Sequence, residues 1–141
     1  SLGKIQQQHY ERALQAEQEA QQVVDDIDVS IAKVREYQQD YQNNLNELQE
    51  NRASSDQLMR MRSFVQQLIQ MEVDQVRQRT DAQQRVAELH EKTLQQSKKV
   101  RMNEKLVEQA DTEQLLHVKK QEAKQMDAVA SSMFIRRSYG A

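Results

Sequence analysis

The side chains of this chain best suited to metal binding or proton transfer are three histidines, His9, His90 and His117. No two of them share a helical spacing, and none has a second histidine or a carboxylate cluster at ligand distance. Glu88 and Glu91 flank His90, which is the ordinary setting of a histidine on a solvated helix face. There is no Cys, so thiolate metal sites and disulfides are excluded, in keeping with a reducing compartment. The only glycines are Gly3 and Gly140, so no Gly-rich turn can cradle a nucleotide phosphate. The expectation is a non-enzyme with no metal and no cofactor, whose work is done by its surfaces.

The elements that must carry those surfaces follow from what is missing. The sequence has no Pro, and nothing between Gly3 and Gly140 breaks the backbone. Gln, Glu, Lys, Arg, Ala and Leu, all good helix formers, dominate it. With 37% hydrophobic and 4% aromatic residues, the chain is too poor in apolar area to close a compact core. Its composition is that of a long helix or coiled coil.

One apolar seam confirms the period. Tyr10, Ala13, Glu17, Ala20, Val24, Ile27, Ile31, Val34, Gln38, Tyr41, Leu45 and Leu48 are spaced alternately by three and four, and only Glu17 and Gln38 are polar. This is a heptad stripe that buries one narrow face against a partner helix. It stops at residues 50–56, where Ser54 and Gln57 fit a capping box and Ser55 or Asp56 offers an alternative N-cap. Apolar density restarts at Leu58, Met61, Val65 and Leu68, loosens past Met71, and thins beyond Val118. The predicted fold is all-α: an antiparallel two-helix coiled-coil hairpin in a single domain, 1–141. Helix 1 is expected over about 3–50, a turn over 51–55, and a longer helix 2 over about 56–137. Paired residue numbers should add to about 106, placing Ile27 by Arg79 and Ile5 by Arg101. At 1.5 Å per residue the helices run roughly 70 and 120 Å, leaving the end of helix 2 without an intrachain partner.

Three stretches invite binding. Tyr37, Tyr41 and Phe64 fall at one level near the turn. Met59, Met61 and Met71 open helix 2 beside Arg60 and Arg62, a flexible apolar lining. The far end carries Lys119, Lys120, Lys124, Arg136 and Arg137 with Met133, Phe134 and Ile135. Residues 1–53 hold ten acidic and five basic side chains, a balance of −5, and residues 54–141 hold twelve and fifteen, a balance of +3. That asymmetry can orient an association but is no nucleic-acid footprint. No apolar run is long enough to span a membrane. No secretion signal is visible, and Ser1-Leu2-Gly3 reads as a trimmed start.

The order of these features resembles the flagellar export protein FliJ family. Tyr37-Gln38-Gln39-Asp40-Tyr41-Gln42-Asn43-Asn44-Leu45 is similar to its YxxEYxxxL signature, with Asp40 for the usual Glu. Ser63-Phe64-Val65-Gln66-Gln67-Leu68 is similar to its segment after the turn. Lys124-Gln125-Met126-Asp127 followed by Arg136-Arg137 is similar to its basic tail. The resemblance covers about Gln15 to Arg137. It implies a stalk that inserts into a hexameric export ATPase ring, promotes its assembly and hydrolysis, and links it to the membrane export gate and export chaperones. It further implies a gate-facing surface of Tyr37, Tyr41, Phe64 and Leu68, and an ATPase-facing end with Met133, Phe134, Arg136 and Arg137. The location implied is cytoplasmic and peripheral to the inner membrane, without membrane insertion or nucleic acid. On its own the chain is expected to be a monomer, because the seam pairs within it. The alternatives are the equivalent stalk of a virulence secretion system and a generic dimerising scaffold.

Overall fold

A computed structural model describes residues 1–139. Two helices pack against each other with no strand among the described residues: α1, Leu2–Glu50, and the longer α2, Ser55–Tyr139. The described residues fall into two compact units, one of residues 8–96 and one of residues 1–7 with 97–139.

In the unit Gln8–Gln96 the seam of α1 is the one the spacing predicts. Val24, Ile31, Val34 and Leu45 are buried, and the other eight seam positions are half-buried. Across from them, α2 turns inward Leu58, Met61, Val65, Leu68, Glu72, Gln75, Arg79, Ala82, Val86, Leu89 and Thr93. The looser spacing read past Met71 is therefore a strict three–four alternation in which four positions are polar. Val76 and Leu94, each one residue off that line, are 42% exposed.

Pairs across the seam fix the register. Arg35 meets Glu72, Gln38 meets Leu68, Asp28 meets Arg79, Ser30 meets Gln75 and Glu17 meets His90. Each sum falls within a residue or so of 106. In the other unit Gly3 faces Asn103 at the same register; a Cβ at Gly3 would lie 2.7 Å from Asn103 Nδ2.

The turn is built from two motifs end to end. Arg52 N–H donates to the Gln49 carbonyl at 3.3 Å, and Ala53 N–H to the Leu48 carbonyl at 2.9 Å. Those two bonds, with Arg52 at φ 56°, make a Schellman closure of α1. Its left-handed position is usually glycine, and an arginine there pays a steric cost. Half-buried Ala53 and Leu48 sit at the two positions that form the apolar contact of this motif. Ser54 then caps α2. Its Oγ accepts from Gln57 N–H at 3.2 Å, and Gln57 Oε1 accepts from Ser54 N–H at 3.3 Å. Of the three candidate caps, Ser54 is the one used. Arg52→Gly should stabilise the chain by about 0.5–1 kcal/mol, because relief of the left-handed strain exceeds the entropy glycine adds to the unfolded chain. Ser54→Ala should cost about 1 kcal/mol. Urea denaturation followed by circular dichroism reads both, and equal midpoints for Arg52→Gly and the parent chain would remove the strain.

Candidate partner-binding surfaces

Near the turn, the Tyr41 and Phe64 rings pack with centroids 4.6 Å apart and planes tilted by 58°. Tyr41 sits on the α1 seam and Phe64 one position before the seam residue Val65, so the contact follows from the register. Around it lies an open groove lined by Tyr41, Leu48, Gln57, Arg60, Met61 and Phe64. Tyr37 is one position before the seam on α1, as Phe64 is on α2, and is 54% exposed; Phe64 is 40% exposed. In an antiparallel pair such equivalent flanking positions share one side of the hairpin. Leu68 lies beneath, only 6% exposed, within the seam. Tyr37 and Phe64 are thus open to solvent with Tyr41 at their rim, whereas Leu68 lies in the seam and holds the two helices together.

A polar cluster not singled out in the sequence lies next to this patch. Glu72 accepts from Arg35 Nε at 2.5 Å and from Gln38 Nε2 at 3.1 Å, and the same Gln38 amide nitrogen donates to the Leu68 carbonyl at 3.1 Å. Farther along, His90 Nδ1 lies 2.7 Å from Glu17 Oε1. Thr93 Oγ1 donates to the Leu89 carbonyl at 3.0 Å, and its single proton serves either that oxygen or the Glu17 carboxylate. Arg35 on Glu72, followed by Gln38, holds the Glu72 carboxyl below its ordinary value of 4.5. The Thr93 hydroxyl, then His90, does the same for Glu17 against the opposing effect of burial. The signal in the sequence was there: Glu17 and Gln38 are the two polar residues of the α1 seam, and both turn out to reach across it.

His90 spends a ring nitrogen on this cross-link. Among the described residues no group of three His, Asp or Glu side chains is placed to hold a metal ion. No helix of the described chain is long and apolar enough to cross a membrane.

The third surface is the arm, residues 104–139, in which every residue is exposed. Met133, Phe134 and Ile135 are 61%, 71% and 55% exposed, and Arg136 and Arg137 beside them are exposed as well.

These features define a class: two antiparallel helices, the second longer, packed along one mixed seam, with an aromatic patch near the turn and an exposed stretch over residues 104–139. Within that class the chain belongs to the flagellar FliJ protein family, whose model matches residues 1–138. It is a flagellar export-related stalk protein of a non-catalytic family. Comparisons with curated proteins and with solved structures give no match.

Because the folded-state carboxyls of Glu17 and Glu72 titrate below their unfolded values, both contribute stability above about pH 4.5 that is lost as pH falls through the lower folded values. Thermal unfolding between pH 7 and pH 3 should show the midpoint dropping on acidification. Glu72→Gln should start from a lower midpoint and show a shallower drop. An unchanged slope in that variant would deny Glu72 its share.

Proposed function

We propose that the chain is the stalk of the flagellar protein export machinery, working in the cytoplasm against the export apparatus at the inner membrane. Its arm inserts into the hexameric export ATPase, promoting ring assembly and hydrolysis. Its turn-proximal patch meets the membrane export gate, and its flanks hand over export chaperones. The family match supports the setting.

The observation that carries the insertion is the placement of Met133, Phe134 and Ile135. Three consecutive helical residues point in three directions about 100° apart. All three are more than half exposed. A groove or a single partner helix covers one stripe, whereas a channel surrounds the helix and covers all three. Arg136 and Arg137 add positive charge at the same end, suited to an acidic lining. The gate-facing role falls to Tyr37 and Phe64, with Tyr41 at the rim and Leu68 fixing the surface from below.

The two roles separate experimentally. Adding the chain to its cognate export ATPase should raise hydrolysis, and deletion from Val118 onward should abolish the rise. Tyr37→Ala and Phe64→Ala should leave stimulation intact and reduce export of flagellar subunits in motility assays. Stimulation by the truncated chain equal to that of the whole would overturn the insertion reading.

A further inference from the structure

The arm carries a second regularity, distinct from its three-way apolar tip. Val107, Asp111, Leu115, Val118, Glu122, Met126, Val129, Met133 and Arg137 are spaced 4, 4, 3, 4, 4, 3, 4, 4. This is an 11-residue repeat, 3.67 residues per turn, which runs almost straight along a helix. Its apolar members are open: Val107 52%, Leu115 55%, Val118 40%, Met126 73%, Val129 58% and Met133 61% exposed. Asn103, Glu104, Val107, Glu108, Asp111 and Leu115 line one shallow groove, so carboxylates border the stripe's first half. Glu122, Met126, Val129 and Met133 line another groove farther on.

Two properties of this stripe point to one occupant. The spacing reads the same in both directions about Glu122, so the stripe laid against a reversed copy of itself matches Leu115 with Val129 and Val118 with Met126. The charge is also self-complementary. Residues 104–115 hold four acidic and one basic side chain, a balance of −3, and residues 116–139 hold two acidic and five basic, a balance of +3. In the reversed pairing Glu108 and Arg137 of the copy fall at one level on the same side of the stripe, and Asp111 falls within a turn of Arg136 and Arg137. A parallel pairing would set acid on acid and base on base.

We infer that the arm's stripe is a self-association surface, on which a second copy of this chain docks antiparallel about a two-fold axis at Glu122. The interface is isologous, each half supplying what the other needs. It spans residues 107–137, about 45 Å of helix. The hairpin seam, satisfied within each chain, takes no part, so each protomer remains its own hairpin. The only like-charged contact is Glu122 against its copy at the axis, which keeps the association weak and reversible. The inference stands apart from the proposed ATPase role, and its test contains no ATPase.

Sedimentation of the full chain over a micromolar to millimolar range should show conversion from 16.6 kDa to twice that mass. Glu108→Arg should weaken the dimer at least several-fold, and Glu108→Arg with Arg137→Glu should restore it, because the swap preserves the pairing. Glu122→Gln should tighten it several-fold. The chain has no cysteine, so orientation can be read by single introduced thiols. Under mild oxidation Glu122→Cys should crosslink to itself, Leu115→Cys alone should not, and Leu115→Cys mixed with Val129→Cys should. A mass of 16.6 kDa throughout overturns the proposal. So does a charge swap no better than the single reversal, or Leu115→Cys crosslinking to itself as fast as Glu122→Cys.

Discussion

Everything in the hairpin unit depends on the alignment of two antiparallel helices, and that alignment is set by polar side chains. The apolar seam by itself is degenerate. Its buried members are Val24, Ile31, Val34, Leu45, Val65, Leu68 and Leu89, and none is buried completely. Sliding one helix past the other by a heptad would still set apolar residues against apolar residues. It would also carry Glu72 away from Arg35 and Gln38 and leave it beside Tyr41 or Ile27. A half-buried carboxylate in that position loses its charge-assisted partners and keeps its desolvation cost. The Arg35–Gln38–Glu72 cluster, the Asp28–Arg79 pair and the Glu17–His90 contact therefore exclude the slipped registers. Exposed ion pairs contribute little net stability, and their value here is specificity, as a polar residue at a core position specifies register in a coiled coil.

The turn imposes the second constraint. A Schellman closure over Leu48–Ala53 abuts a capping box at Ser54 and Gln57, with only the four residues 51–54 between the helices, so the chain reverses with no room to shift where it bends. Fixing that point fixes which residue of α1 meets which of α2, and turn and polar links give the same answer. That agreement is the mark of a sequence whose local and long-range preferences are consistent. It also fixes where the aromatic patch lies, since Tyr41 and Phe64 meet only because the bend places them at one level.

The residues read differently at the sequence level for physical reasons. The α1 seam was legible because ten of its twelve members are apolar and the period is unbroken. Ser54 and Gln57 announced the cap by type and spacing. The inward face of α2 was harder to see: Glu72, Gln75, Arg79 and Thr93 lie on it, while Val76 and Leu94 lie beside it, so a search for apolar period drifts one residue off the line. Arg52 gave no warning of its left-handed backbone, because the usual glycine is absent. Leu68 belongs to a stretch that carries the family resemblance, yet the structure buries it; a motif records that a residue matters and not which way it faces. In the arm, the straight repeat passes through Asp111, Glu122 and Arg137, and charges at those positions hide it from a reader looking for heptads.

The change of repeat along α2 is what divides its labour. As far as Asn103 the inward positions keep an average of 3.5 residues per turn, which keeps one stripe facing a helix that coils with it. From Val107 the apolar positions average 3.67, and a stripe of that pitch drifts away from a heptad partner within a few turns. A single continuous helix can therefore serve α1 over its first half and cannot continue to do so over its second, whatever the length of α1. The arm also has no tertiary packing of its own, so its helicity rests on propensity and on continuity with the packed part of α2. A segment in that condition gains the most order from whatever covers it. Covering one straight stripe suits another helix, and covering the three-way apolar tip requires a surround. Both demands fall on the same residues, Met133 above all, so an arm engaged in one way is unavailable for the other.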